Sequence, residues 1–224
     1  MLNELNEISN NKIIIPTFNY DFTKKKIFNY FKDPSQVGFF TEYFRNKNIS
    51  RRTLVPIFSE CSNIKTKKYL NDNYLIFGKN SIYNDLADNK CKIVFFGANF
   101  APSYIMYIEN LLYNCPVYRF PKKFSGKIYY GRKKINIVVT YNCRPIKIPI
   151  KYDLAKIEKE ITKEKILLNK NSKSGFNYKI MDAKAFKDFS VNKLKNDKYY
   201  FLENSSKLEI QKYLKKNKDL KKIV

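Results

Sequence analysis

The chain of 224 residues contains no histidine. Histidine is the commonest general base and the commonest metal ligand, so proton transfer falls to carboxylates. Glu109 is the first candidate. It sits on a helix that follows a buried-type apolar run, and it reads either as a lone general base or as a helix-surface carboxylate. A carboxylate near its ordinary pKa of about 4 takes protons poorly unless burial raises it. Ser59 offers a hydroxyl, or is a satisfied strand serine. Ser81 opens a helix, whose N-terminus can also receive a phosphate. Gly97 allows a tight turn. Asn99 and Ser103 stand at a sheet edge, as pocket lining or as loop and cap. Asp33 and Glu42 are two of the few other acids nearby. Cys61, Cys91, Cys115 and Cys143 show neither CxxC nor metal spacing and no activating base, so no metal is expected.

The elements that must position these groups centre on Phe77–Glu109. Ser81 caps a helix to about Ala87, and Asp88-Asn89 breaks it. Lys92–Phe96 reads as an interior strand. Ala98–Pro102 is a loop, and Ser103 starts the helix carrying Met106 and Glu109. In α/β sheets ligands bind outside the C-terminal ends of strands, so loop 98–103 is the place to look. Upstream, Met1–Asn11 is a polar lead and Lys12–Ile15 a strand stopped by Pro16. Thr17–Phe31 reads as a long loop, and Asp33-Pro34-Ser35 as entry to a helix bearing Val37, Phe40 and Phe44. Asn46–Arg52 is a turn, Thr53–Cys61 is extended, and Lys65–Asn73 is a short helix or loop. Downstream, strands are expected at Pro116–Phe120, Lys127–Tyr130, Ile135–Tyr141 and Ile146–Ile150, with a hairpin-like turn at 142–145. A helix capped by Asp153 runs to about Asn169. Strand Phe176–Met181 and helix Ala183–Leu194 follow. Ser206-x-x-Glu209 is a capping box for a basic terminal helix. The domain reading is an α/β domain over 1–204 and a basic C-terminal helix over 205–224.

Lys and Arg number 44 against 20 Asp and Glu, a net charge of +24. Lys outnumbers Arg by 38 to 6, whereas nucleic-acid grooves also use Arg for bidentate contacts. A basic nucleic-acid binder is therefore not the favoured class, the more so because the 18 Tyr and 18 Phe spread through apparent core segments. The field still favours anionic ligands such as nucleotides over polycations. No secretory signal and no membrane span are read, and free thiols fit a cytoplasmic protein.

Five stretches in order carry a resemblance: IIIPTFNYDF (Ile13–Phe22), PSQVGFFTEYFR (Pro34–Arg45), RTLVPIFS (Arg52–Ser59), FGKNSIYNDL (Phe77–Leu86) and KIVFFGANFAPSYIMYIE (Lys92–Glu109), with YKIMDAKAFKDF as a fainter sixth. Together the chain resembles the aminoglycoside 3-N-acetyltransferase family. The resemblance implies an α/β fold, a mixed sheet flanked by helices, and transfer of an acyl group from acetyl-CoA or another acyl-CoA to a small-molecule amine. It makes Glu109 and Ser59 catalytic candidates, Ser59, Ser81 and Gly97 candidates for holding coenzyme A, and Asn99, Ser103, Asp33 and Glu42 candidates for the acceptor pocket.

The chain departs from the family pattern. The family's His-x-x-Glu reads Met106-x-x-Glu109 here, and a thioether accepts no proton. Val55 and Phe58 stand where members commonly carry histidines. Family members also have an N-terminal segment before the PTF strand that this chain lacks, so it reads as truncated or as a short branch. The first reading is an acyl-CoA-dependent N-acyltransferase acting on an amino sugar or aminoglycoside. The rival is a catalytically inactive relative, a binding protein or gene remnant. A monomer and a homodimer both fit.

Overall fold

A computed structural model describes residues 9–10, 12–65, 74–98, 100, 103–113 and 115–216. Asn99, most of the lead at 1–11, the segment 66–73 and the tail at 217–224 lie outside the described residues. The fold is mixed α/β, and it divides into two compact units: residues 1–76 with 123–141, and residues 77–122 with 142–224.

Unit one starts with β1 (Ile14–Pro16), paired antiparallel with β3 (Glu60–Ser62). The Thr17–Phe31 stretch is not a plain loop: it holds a one-turn helix α1 (Phe22–Lys25) and β2 (Ile27–Asn29). Phe22 and Phe28 are wholly buried there, so apolar anchoring overrides the absence of a clean period. α2 (Phe39–Lys47) begins after Gly38, later than the Asp33-Pro34-Ser35 entry, and a 3-10 turn (Ile49–Arg51) follows it. β4 (Tyr74–Leu75), β6 (Phe120–Tyr130) and β7 (Lys133–Cys143) complete a sheet ordered β2-β6-β7-β4. β2 runs parallel to β6, and β4 to β7. β6 and β7 form one long hairpin turning at Gly131-Arg132, where Gly131 has φ +59. The turn is therefore there and not at 142–145. Phe124, Ile128, Ile137 and Val139 alternate inward along the hairpin, the period expected of a sheet with one buried face.

Unit two holds α3 (Ile82–Asp88), β5 (Lys92–Phe96), α4 (Ser103–Tyr113), α5 (Leu154–Lys163), β8 (Leu167–Asn171), β9 (Asn177–Asp182), α6 (Ala183–Asn196) and α7 (Asn204–Lys216). Its sheet is antiparallel and ordered β5-β9-β8. Among the described residues β5 is thus an edge strand and not an interior one, and most of its side chains are only half-buried. β-branched and aromatic content marks a strand but not its place in the sheet. The α5 helix stops at Lys163 and Leu167 already belongs to β8, with Lys165 in the left-handed region at φ +57. Neither Pro116–Phe120 nor Ile146–Ile150 is a regular strand, although β6 starts at Phe120. Asp153 and Asp182 cap α5 and α6 through their carboxylates, accepting from the backbone N–H of Lys156 and Ala185. Ser206 lies inside α7, not at its cap. Its hydroxyl donates to Pro149 O at 3.0 Å and accepts from Lys151 N at 2.9 Å. Ile210 of the same helix packs with Tyr118, Ile148, Ile150, Tyr199 and Leu202.

Candidate functional site

Within unit two, α4 carries Glu109 on a face that also buries Tyr104, Ile105, Tyr107 and Ile108. Apolar and aromatic residues surround the carboxylate position in sequence, so the helix packs inward and takes Glu109 with it. The side chain is 0% exposed. Tyr118 donates its hydroxyl to Oε1, and Tyr152 donates to Oε2 at 2.8 Å. Arg119 Nε lies 3.5 Å from Oε2, and its guanidinium also donates to Tyr152 Oη and, at 3.0 Å, to Asn142 O. Asn142 in turn donates to Asn110 Oδ1 at 2.7 Å. Complete burial pushes the Glu109 pKa above the ordinary 4.5, against the opposing pull of Arg119 and the two phenols. Burial, with Glu109 beside them, raises both tyrosines in turn. The carboxylate is therefore not a helix-surface group. Both of its oxygens accept hydrogen bonds inside the protein, from the two phenols. Met106, one turn earlier, is half-buried.

The other nodes of unit two are simpler. Ser81 is fully buried at the N-terminus of α3, but its hydroxyl makes no capping bond, and no described partner for Oγ is present. Tyr107, from the Glu109 helix, donates to Asn84 on α3 at 2.7 Å, and its ring stacks on Tyr83. Gly97 ends β5 with φ +62, in open space. Ser103 is half-buried at the start of α4.

Ser59 belongs to unit one and is wholly buried. It does not project a free hydroxyl. Its Oγ donates to Thr17 O at 2.6 Å and accepts from Arg52 Nε at 3.0 Å. Arg52, itself 0% exposed, donates further to Thr17 O at 2.8 Å, Tyr30 O at 3.2 Å and Asp33 O at 2.7 Å. Its guanidinium lies 4.7 Å from the Phe28 ring centroid. Burial, and then the Arg45 charge, pushes the Arg52 pKa down to about 10. Asp33 thus meets Ser59 through Arg52, while its own carboxylate accepts from Asn29 N at 2.8 Å. Glu42 is engaged by Arg45 at 2.6 and 2.7 Å and by Ser35 N at 2.6 Å, and the Arg45 bonds hold its pKa below the usual range. The same segment stores strain: Ile57, a β-branched residue, has φ +75, a conformation costing about 1–3 kcal/mol.

Sequence reasoning missed Arg119, Tyr118, Tyr152 and Arg52. The available signal was the rarity of arginine. In a chain that uses Lys 38 times and Arg 6 times, three of the arginines, Arg45, Arg52 and Arg119, are buried, where the guanidinium supplies several directional bonds. Among the described residues no group of three or more His, Cys, Asp or Glu could hold a metal ion, and no helix is long and apolar enough to cross a membrane.

No family model and no curated protein sequence matches the chain. Solved structures do. The YokD protein from Bacillus subtilis superposes with a TM-score of 0.60 at 16% identity, covering 83% of this chain and 75% of that one. AAC-IIIb in a binary complex with CoASH gives 0.63 at 14%, covering 83% and 77%. AAC-VIa bound to sisomicin gives 0.63 at 14%, covering 83% and 78%. Across most of its length, the chain has the mixed α/β fold of the aminoglycoside 3-N-acetyltransferases.

Proposed function

We propose that the chain is an acyl-CoA-dependent N-acyltransferase that moves an acetyl or similar acyl group to an amine of an amino sugar or aminoglycoside. The single observation that supports this most is the fold, shared over 83% of the chain with an acetyltransferase solved with CoASH and one solved with an aminoglycoside. In the reaction the amine nitrogen attacks the thioester carbonyl, the carbon–sulfur bond breaks, and the coenzyme leaves as a thiol carrying the proton the amine gives up. Glu109 is the residue we assign to that proton. Its raised pKa suits the task, and Tyr118 or Tyr152 relays the proton to the enclosed carboxylate. Ser81 and Gly97 of unit two are assigned to the coenzyme and Ser103 to the acceptor. The Ser81 hydroxyl, buried without a described partner, has a bond still to give. Asn99 keeps its assignment to the acceptor pocket. Ser59, Asp33 and Glu42 act as positioning residues through Arg52 and Arg45.

The acceptor is an amino sugar, nucleotide-linked in preference to a polycationic drug, because a +24 chain repels polycations. Specific observations also favour a second reading, a catalytically inactive binding relative. The sequence has no histidine, and both Glu109 oxygens are already bonded. Acetyl-CoA thiol release over a panel of amines, alongside calorimetry with coenzyme A, separates the two. Coenzyme binding with acceptor-dependent thiol release supports the transferase, whereas binding without release supports the inactive relative.

A further inference from the structure

Unit one carries an open cleft of about 740 Å³ that none of the assigned residues lines. Its floor is the outward face of β2, β6 and β7. Ser125, Lys127 and Tyr129 point that way because residues two apart on a strand share a face, whereas Phe124 and Ile128 lie buried on the other. Ile27 and Val138 supply the apolar part of the floor, and Asn136 adds an amide.

One wall is the Lys25-Lys26 corner that ends α1, and the backbone fixes it. Lys26 is left-handed at φ +58, and its N–H donates to Phe22 O at 3.0 Å. Its carbonyl accepts from Lys127 N at 2.9 Å. Gly126 permits this approach, since a Cβ there would sit 2.4 Å from Lys26 O and 2.7 Å from the Phe22 ring.

The chemistry of the lining is one-sided. Three lysines and no carboxylate line it. Lys25 pairs with Asp21, but both are exposed i,i+4 partners, a weak pairing that a stronger anion displaces. Lys26 Nζ donates to Thr23 O and stands 5.3 Å from the Phe124 ring centroid, so Lys26 reaches the cleft with its backbone and stem and its ammonium must swing to meet a ligand, whereas Lys127 is exposed. Lys134 Nζ stands 5.9 Å from the Tyr129 ring centroid. A lining with several cations and no carboxylate favours a multiply charged anion. An aromatic and apolar floor selects a ring, and the volume is that of a small-molecule site.

We propose that this cleft binds a nucleoside diphosphate or the nucleotide part of a larger ligand. The phosphates lie among Lys25, Lys26 and Lys127, and the ring lies over Ile27, Tyr129 and Val138. The binding step stands whether or not the chain transfers acyl groups. Two sources share this chemistry: the nucleotide of a nucleotide-linked sugar and the phosphorylated adenosine of coenzyme A.

Calorimetry of the full chain with UDP, ADP, coenzyme A and uridine tests the proposal. At least one of the three phosphorylated ligands binds, and more weakly as salt rises. Uridine binds at least about 10-fold more weakly than UDP. Lys127→Glu cuts affinity about 10-fold or more, whereas Lys163→Glu, the same charge change on a helix of unit two, does not. Displacement of bound UDP by coenzyme A assigns the cleft to the coenzyme, and independent binding of the two assigns it to the acceptor. No heat with any of the three phosphorylated ligands at about 1 mM, or equal effects of the two charge reversals, overturns the proposal. Thiol release without nucleotide binding at this cleft refutes it alone, and nucleotide binding without thiol release refutes only the acyl-transfer reading.

Discussion

Arg52→Lys is the most revealing single change in unit one. The guanidinium is wholly buried and spends its donors on four acceptors, namely Ser59 Oγ, Thr17 O, Tyr30 O and Asp33 O, at 2.7 to 3.2 Å. An ammonium has three donors at one point and cannot span that fork. At least two acceptors lose a charge-assisted bond, worth about 1.5–3 kcal/mol each in a buried site, so the expected loss is roughly 3–6 kcal/mol. For a chain of this size that lowers Tm by roughly 10 °C. Arg52→Met, which removes all four of these bonds, costs more than Arg52→Lys. Denaturant melts followed by circular dichroism measure both, since the chain has no tryptophan to report fluorescence. A loss under about 1 kcal/mol for Arg52→Lys would refute the reasoning. A Met variant as stable as wild type would show that desolvating the charge costs as much as its bonds return.

Other consequences follow from the same geometry. Gly126→Ala forces a methyl against Lys26 O and the Phe22 ring and destabilises by about 1–3 kcal/mol, checked by thermal melting. Glu42 and Glu160 are held below their ordinary pKa, chiefly by hydrogen bonds from Arg45 and Lys193 respectively. The stability they add is present above pH 4.5 and is lost as pH falls through their folded values. Glu109 has the opposite sign. Its folded pKa lies above 4.5 because of burial, so its contribution is full below 4.5 and lost as pH rises through the folded value. Replacing Glu42 by Gln should flatten the acid limb of a stability–pH curve, and an unchanged limb would contradict the assignment. Met106→His places a base one turn from Glu109 and should raise thiol release by about 10²-fold or more.

The sequence made the local units of the fold legible and their pairing much less so. The helix from Ser103 and the strand at Lys92–Phe96 could be read because their patterns are short and strongly apolar. That β5 would pair antiparallel with β9, over eighty residues away, leaves no mark on either strand alone. The β6–β7 hairpin is legible only in pieces, because the adjacent exposed pairs Lys122-Lys123 and Lys133-Lys134 break its alternation near the strand ends. Glu109 and Ser59 were visible as residues. Their enclosure by Tyr118, Tyr152 and Arg119 in one case, and by Arg52 and Thr17 in the other, was not, since it depends on contacts that sequence spacing does not encode.

Acetyl-CoA thiol release over a panel of amino sugars puts the central claim to the most direct test, with Glu109→Gln and the milder Tyr152→Phe run beside the wild type and checked for folding. Release that requires an amine acceptor, and that falls about 10²-fold or more in folded Glu109→Gln, is the predicted result. Coenzyme A binding by a folded wild-type chain that never releases thiol faster with an amine present would contradict it.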